Sequence, residues 1–154
     1  MTTVGLISDT HGLLRPEAVA ALAGVDLILH AGDIGGLDVI AQLQSIAPVV
    51  AVRGNTDRHD WAHAIPEREI AQVGAVRIYL LHDVHALDVN PVTAGFQVVV
   101  SGHSHQPLIE QREGVLFVNP GSAGPRRFKL PVSVARLVVD GPAVRAALVQ
   151  LAVA

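Results

Sequence analysis

Val4-Gly5-Leu6-Ile7-Ser8-Asp9-Thr10-His11 passes from an apolar stretch straight into two side chains that bind cations, and this succession sets the architecture. A parallel β-strand that stops delivers the loop after it into the crevice at the carboxyl edge of its sheet. A short apolar run followed at once by Asp and His therefore reads as a strand carrying donors to a pocket. The succession recurs. Leu27-Ile28-Leu29 precedes Gly32-Asp33, Val49 to Val52 precedes Gly54-Asn55-Thr56-Asp57, Val76 to Leu81 precedes His82, and Val98 to Val100 precedes His103-Ser104-His105. Together these strand ends predict one pocket built by several loops.

Between the runs lie the connections such a sheet needs. Pro16 opens a helical stretch from Glu17 to Ala23 with Val19, Leu22 and Ala23 on one face, and Gly24 is placed to stop it. Leu37 to Ile46 repeats the helical pattern after Gly35-Gly36, and Pro48 restarts an extended run. From Ile70 the helices thin out. Ile70 to Val73 and Val76 to Leu81 flank Gly74-Ala75, a hairpin signal. Pro107 to Glu110 pairs with Val115 to Val118 around Glu113-Gly114, and Val132 to Val139 with Ala143 to Leu151 around Asp140-Gly141-Pro142. Asp83 to Gly95, broken by Pro91, reads as a loop beside the pocket. The expected fold class is α/β: two packed mixed β-sheets flanked by helices, in a single domain over residues 1–154.

Composition narrows the chemistry. A chain of 154 residues buries roughly 70% of its unfolded surface without staples. Apolar residues make up 50% but aromatics only 3%, so Val, Leu, Ile and Ala must fill the core, and there is no aromatic platform for stacking bases. A net charge of -3 with 11 dispersed basic residues argues against nucleic acid as a partner and leaves a small phosphorylated substrate. There is no cysteine, so a metal would be held by His nitrogen and Asp or Asn oxygen, a set that suits Mn, Fe, Co, Ni or Zn. The chain starts with neither a basic leader nor a long apolar span. The expected address is the cytoplasm, with no membrane partner, and a homo-oligomer stays open.

Each motif also has a plainer reading. Asp33 stands ahead of a helix, where it would serve as a cap. Asn55 after Gly54 suits a left-handed turn position. His82 fits a hydrogen-bonded structural role, and Asp57 a simple turn residue or a partner that orients a ligand. His30 reads as a buried, hydrogen-bonded histidine. Arg126, Arg127 and Lys129 form either a solvated basic loop or a clamp on a substrate phosphate. His103 and His105 resist a bland reading, because Gly102-His103-Ser104-His105-Gln106-Pro107 is neither periodic nor apolar. Taken jointly, the motifs offer enough oxygen and imidazole donors to surround two cations.

Asp-x-His at 9–11, Gly-Asp at 32–33, Gly-Asn-x-Asp at 54–57, His82 and Gly-His-x-His at 102–105, in that order, resemble the calcineurin-like metallophosphoesterases, specifically their small bacterial and archaeal phosphodiesterase branch. Asn119-Pro120-Gly121-Ser122 strengthens the resemblance, which spans Val4 to about Val139. It implies a β-sandwich flanked by helices with two divalent ions, Mn²⁺ first among the candidates, at the loop edge of the sheets. It assigns Asp9, His11 and His105 to one ion and Asn55, His82 and His103 to the other, with Asp33 as the bridge, and makes Asp33, Asn55 and His103 catalytic. The implied reaction is hydrolysis of a small phosphodiester by a hydroxide shared between the metals.

Two positions depart from the pattern. Many larger members carry His directly after Gly-Asn, where it protonates the leaving group; here that residue is Thr56. Members often have Gly-His after the fourth motif, where this chain has Asp83-Val84-His85. A substitute acid would have to come from His59, His63 or His85. Two alternatives accompany the phosphodiesterase reading. One is a noncatalytic protein-interaction module, as in a retromer subunit of the same fold, against which the complete donor set argues. The other is a phosphomonoesterase, pyrophosphohydrolase or nuclease: low positive charge and scarce aromatics argue against a nuclease, and a monoester specialist needs cationic groups that only the Arg126 cluster offers.

Overall fold

The computed structural model describes residues 1–153. Its strands are β1 (Thr2–Ile7), β2 (Leu27–His30), β3 (Val49–Ala51), β4 (Arg68–Val73), β5 (Val76–Leu81), β6 (Val98–Val100), β7 (Leu108–Arg112), β8 (Val115–Asn119), β9 (Ser133–Asp140) and β10 (Ala143–Gln150). Two helices, α1 (Pro16–Ala21) and α2 (Leu37–Gln44), connect the first three strands. One sheet has the order β10-β9-β1-β2-β3 and the other β4-β5-β6-β8-β7, so both expected mixed sheets form. In the first, β1, β2 and β3 run parallel; in the second, β5, β6 and β8 do. The carboxyl ends of both parallel sets therefore meet at one edge of the sandwich.

Alternation along the strands sorts side chains into layers. Val4 and Leu6 of β1, Ile78 and Leu80 of β5, Val98 and Val100 of β6 and Leu137 and Val139 of β9 interdigitate between the sheets. On the outer side of the first sheet, Ile28 and Val134 pack against Ala18 and Leu22 of the α1 segment and Val39 and Leu43 of α2. Both helices lie on this face. The outer side of the second sheet is covered instead by chain from the 84–96 stretch: Val84, Leu87, Val89, Ala94 and Phe96 pack on Tyr79, Leu81, Val99 and Phe117. The expected loop from Asp83 to Gly95 thus contains a 3₁₀ turn at Val84–Ala86 and does the covering that a helix does elsewhere.

Element boundaries shift for local reasons. α2 ends at Gln44 rather than Ile46, because the Ser45 hydroxyl takes the Gln42 carbonyl and Pro48 disfavours helix in the residue before it. A 3₁₀ turn at Asp60–Ala64 was not expected from the sequence pattern. No helix among the described residues is long and apolar enough to cross a membrane.

Candidate metal centre

The seven residues expected to ligate metal stand at the carboxyl edge, each in a loop that leaves β1, β2, β3, β5 or β6 or shortly beyond. Asp9, Asp33, His82 and His105 are buried, His11 is half-buried, and His103 and Asn55 form the open rim. Five of the seven non-glycine residues with positive φ belong to this set: Asp9 at 56°, His11 at 47°, Asp33 at 54°, His103 at 72° and His105 at 62°. Asp tolerates the left-handed region better than most residues, and strained backbone of this kind gathers at functional sites. Asn55 does not share it, so a left-handed turn does not explain that residue. Nor is Asp33 a helix cap: Gly36 holds that position, and Asp33 Oδ1 instead accepts the Thr56 N–H at 2.9 Å.

Donor atoms converge in two groups. Around Asp9 Oδ1 stand His105 Nε2 at 3.3 Å and His11 Nε2 at 3.9 Å. On the other side, Asn55 Oδ1 lies 3.0 Å from His82 Nε2 and 3.2 Å from His103 Nδ1, with 3.3 Å between the two imidazole nitrogens. Asp33 Oδ2 sits between the groups, 3.2 Å from His82 Nε2 and 3.8 Å from His11 Nε2. Metal–donor bonds of about 2.1 Å at roughly tetrahedral or octahedral angles put neighbouring donors about 3.0–3.4 Å apart. Asn55, His82, His103, Asp33 and the Asp9–His105 pair match that spacing, and His11 stands a little wider.

Hydrogen bonds hold Asp9 and His82 with a free lone pair facing inward. Asp9 Oδ2 is occupied by the Ser8 hydroxyl at 2.6 Å and the His103 N–H at 3.1 Å, which leaves Oδ1 buried with no partner. His82 Nδ1 faces the Ala31 carbonyl at 2.7 Å and must donate to it, so in the neutral ring Nε2 is a bare acceptor. That acceptor meets the Asn55 carbonyl and the Asp33 carboxylate, an arrangement that only a proton or a cation makes favourable. A divalent cation fits the residues present.

The electrostatics agree. Burial opposes the charge on Asp33, but hydrogen bonds from His82 and the Thr56 N–H outweigh it and hold the carboxyl well below the ordinary carboxylate range. Asp9 is likewise lowered, burial being outweighed by His105 and Ser8. His82 moves up: burial lowers it, but Asp33 and Asp9 prevail. Both carboxylates are therefore ionised at neutral pH.

Close packing explains the glycine in two motifs. A Cβ on Gly54 would run into the Asp33 carboxylate and backbone, and one on Gly102 into the Ser8 hydroxyl and Asp9 Oδ2. The buried carboxylate of Asp57 is more than a turn residue, for it accepts N–H groups from Ile34 at 3.0 Å, Gly35 at 3.1 Å and Gly54 at 2.9 Å. His30 is the buried structural histidine expected. Gly32 N–H donates to its Nδ1, Nε2–H donates to Thr10 Oγ1, and the Thr10 hydroxyl donates in turn to the Ile34 carbonyl.

Other residues fall outside the cluster. Arg126, Arg127 and Lys129 are exposed, with Arg126 reaching the Val153 carbonyl, and none of them lines a cavity that flanks the cluster. His59 and His63 line neither cavity. Asp83 turns toward His103, not His82, with Oδ2 3.9 Å from His103 Nε2. Sequence reading missed Arg53 and Arg68, which line a cavity of about 210 Å³ beside Asn55 and His82. Both guanidiniums are engaged: Arg53 with Glu67 and the Ile65 carbonyl, Arg68 with Glu67, Asp88 and the Ala86 carbonyl. A second cavity, about 390 Å³, opens on the other side past His103.

Two mixed five-stranded sheets that deliver His, Asp and Asn donors to one edge define the class as a metallophosphoesterase sandwich. The sequence model of the calcineurin-like phosphoesterase superfamily domain matches residues 2–141, and the chain belongs to that family. A probable metallophosphoesterase of Methanothermobacter thermautotrophicus is 37% identical, the match covering 96% of this chain and 91% of the relative. A phosphodiesterase of Methanocaldococcus jannaschii is 28% identical over 77% of this chain and 82% of its own length. Among solved structures, Chaetomium thermophilum Vps29 superposes with a TM-score of 0.79 over 97% of each chain at 19% identity, a likeness of fold.

Proposed function

We propose that this protein is a metal-dependent phosphodiesterase acting on a small diester, with two divalent ions held by Asp9, His11 and His105 on one side, Asn55, His82 and His103 on the other, and Asp33 between. The observation that carries the reading is the position of Asp33 Oδ2 between His11 Nε2 and His82 Nε2, next to the unpartnered Asp9 Oδ1. Two cations side by side need an anionic group between them, and Asp33 supplies it. When bound, such ions provide an ionised water as nucleophile and draw charge from the phosphoryl oxygens. Carboxylate and imidazole donors without thiolate suit Mn²⁺, Fe²⁺, Co²⁺, Ni²⁺ or Zn²⁺, and membership of the calcineurin-like family puts Mn²⁺ first among them for this reading.

The chain's own residues divide the remaining work. Asn55 turns Oδ1 toward the imidazoles, which frees its NH₂ to donate to a phosphoryl oxygen. His103, at the open rim, closes the pocket against the substrate. The water oxygen bonds to phosphorus as one P–O ester bond breaks, and the departing alkoxide or aryloxide takes its proton from solvent, since Thr56 has no imidazole to offer. A diester suits the surroundings better than a monoester: cavities flank the donor cluster on two sides, and the nearby arginines are already paired with carboxylates and carbonyls. The same fold occurs in Vps29, so the donor set and not the fold argues for catalysis. The cytoplasm is the compartment that goes with this reading.

The test is hydrolysis of bis-p-nitrophenyl phosphate and p-nitrophenyl phosphate by chelator-treated protein with Mn²⁺, Ni²⁺, Zn²⁺ or Mg²⁺ restored. Metal-restored diesterase activity that exceeds monoesterase activity and disappears in Asp33→Asn is expected. Two bound metal equivalents without turnover of either ester would favour the noncatalytic interaction module.

A further inference from the structure

The cavity past His103 is the roomier of the two that flank the donor cluster, about 390 Å³ against about 210 Å³ beside Asn55. Gly102 and His103 form its inner end, and Asp83 stands at the boundary, lining both cavities. Val84, Pro107, Leu108 and Phe117 supply the apolar part of its lining, alongside the polar His85, Ser104 and Asn119. No carboxylate other than Asp83 lines it. Arg112 lies with its guanidinium carbon 4.2 Å from the centre of the Phe117 ring, so the cationic group there is stacked on an aromatic face and held near Glu110 rather than free in the cleft. Leu108 is 44% exposed, an uncovered apolar side chain within a cleft that runs directly into the donor cluster. The cavity beside Asn55 is smaller and sets Arg53, Glu67, Arg68 and Asp83 beside Leu81 and Ala86.

We infer that the cleft lined by Val84, Pro107, Leu108 and Phe117 binds one ester arm of the substrate, and that this arm is an apolar, ring-bearing group rather than a sugar or short alkyl chain. The inference rests on the proposed metal-dependent reading, because the phosphoryl group bound at the donor cluster places the arm. Continuity with that cluster argues for the substrate as occupant, and the volume of about 390 Å³ admits one ring system. Apolar walls gain from an apolar arm through the water they release, and a ring brings much buried area with few rotatable bonds to immobilise.

Single-armed phosphonates isolate the preference, because their one arm is free to choose either cavity and no turnover is needed. Calorimetry on Mn²⁺-loaded protein would compare phenylphosphonate with methylphosphonate, in the unaltered chain and in Leu108→Asp. Leu108 lies outside the donor cluster and is already exposed, so the change is compatible with folding. The expected result is phenyl binding at least about tenfold tighter than methyl, equivalent to about 1.4 kcal/mol, with the ratio falling toward one in Leu108→Asp and methylphosphonate affinity unchanged. A ratio near one in the unaltered chain, or a phenyl preference that survives Leu108→Asp, would overturn the assignment. A ratio near one together with self-association abolished by Leu108→Asp would give the cleft to a second copy of the chain instead. Failure of both phosphonates to bind protein that holds Mn²⁺ would overturn the assignment of the arm, whereas failure of the chelator-treated protein to take up Mn²⁺ at all would remove the metal-dependent reading itself.

Discussion

His82 Nε2 stands 3.2 Å from Asp33 Oδ2 while the proton of the neutral ring is committed, through Nδ1, to the Ala31 carbonyl. Two lone pairs held at that distance repel each other, so the fold has built a position that is favourable only when something positive occupies it. Asp33→Asn keeps the shape and removes the charge. We expect the variant to fold, to lose at least about a hundredfold in affinity for one of two Mn²⁺ equivalents, and to lose diesterase activity at least in proportion. Calorimetric titration of chelator-treated protein checks this. Two equivalents bound with unaltered affinity would remove Asp33 from between the ions.

Asp57 ties two of the donor loops together. Its carboxylate accepts from Ile34 and Gly35, just after Asp33, and from Gly54, just before Asn55. Truncation to Ala would leave those N–H groups without their charged acceptor, and we expect a loss of about 3 kcal/mol from urea unfolding midpoints. Metal affinity should fall as well, since Asp33 and Asn55 lose their common anchor. A variant as stable as the unaltered chain would reduce Asp57 to an ordinary turn residue.

Asp83 gives the third prediction. It faces His103 Nε2 at 3.9 Å, on the far side of the ring from the nitrogen that meets Asn55 and His82. A carboxylate behind a metal-binding imidazole orients the ring and raises its basicity. Asp83→Asn should therefore weaken one metal equivalent by about tenfold and leave the other unchanged. Competition with a chelator measures both, and equal affinities in variant and parent would assign Asp83 to the cavity wall alone.

The strands that end at the carboxyl edge were legible, though not their order in the sheets, because each announces itself as an apolar run that stops at a donor. Val4–Ile7, Leu27–Leu29 and Val98–Val100 are such runs, and all three are strands. The donor residues were legible for the same reason. The orientation of their partners was not. Ser8 precedes Asp9 in the sequence, yet nothing in that adjacency says its hydroxyl will bond Asp9 Oδ2, and two of the three N–H groups that converge on Asp57 come from a loop 22 and 23 residues upstream. Arg53 and Arg68 were invisible for a related reason: Arg68 is placed by its register with Leu81 across β4 and β5, and Arg53 by contacts with Ile65, Pro66 and Glu67 in the chain leading into β4, relations that spacing does not reveal. The cover on the second sheet was misjudged in kind. Val84, Leu87 and Val89 have no helical or strand period, so only tertiary packing reveals them as a buried layer.

His30 supplies a pH dependence. Burial pushes its pKa down to about 4, against about 6.5 in an unfolded chain. The folded state therefore holds the neutral ring. Between these values the unfolded state binds more protons, so the contribution of His30 to stability is complete above pH of about 6.5 and is lost as pH falls toward about 4, by about 3 kcal/mol in all. The difference in unfolding free energy between pH 7 and pH 4.5 should be smaller in His30→Asn than in the parent, with chelator present in both. Identical slopes would mean that His30 is protonated without unfolding.

Leaving-group dependence is the sharpest kinetic consequence of the site as built. Thr56 follows Asn55 and contributes its backbone N–H to Asp33 Oδ1, so that position supplies no proton to the departing oxygen. His85 lies at the margin of the larger cavity, and His59 and His63 line neither cavity that flanks the donor cluster. Without a positioned acid, the rate should track the stability of the free leaving anion, because a basic alkoxide departs slowly unless it is protonated in the transition state, and that assistance is typically worth about 10²–10⁴-fold. An aryl diester such as bis-p-nitrophenyl phosphate should therefore be cleaved faster than a dialkyl diester by more than their difference in water at the same pH. Across a series of substituted phenyl esters, log kcat/KM should fall steeply as the phenol becomes more basic. A flat series would mean that a proton is delivered after all; repeating it with His85→Gln would then show whether His85 delivers it, since restoring the steep dependence would identify His85 as the acid and an unaltered flat series would exclude it.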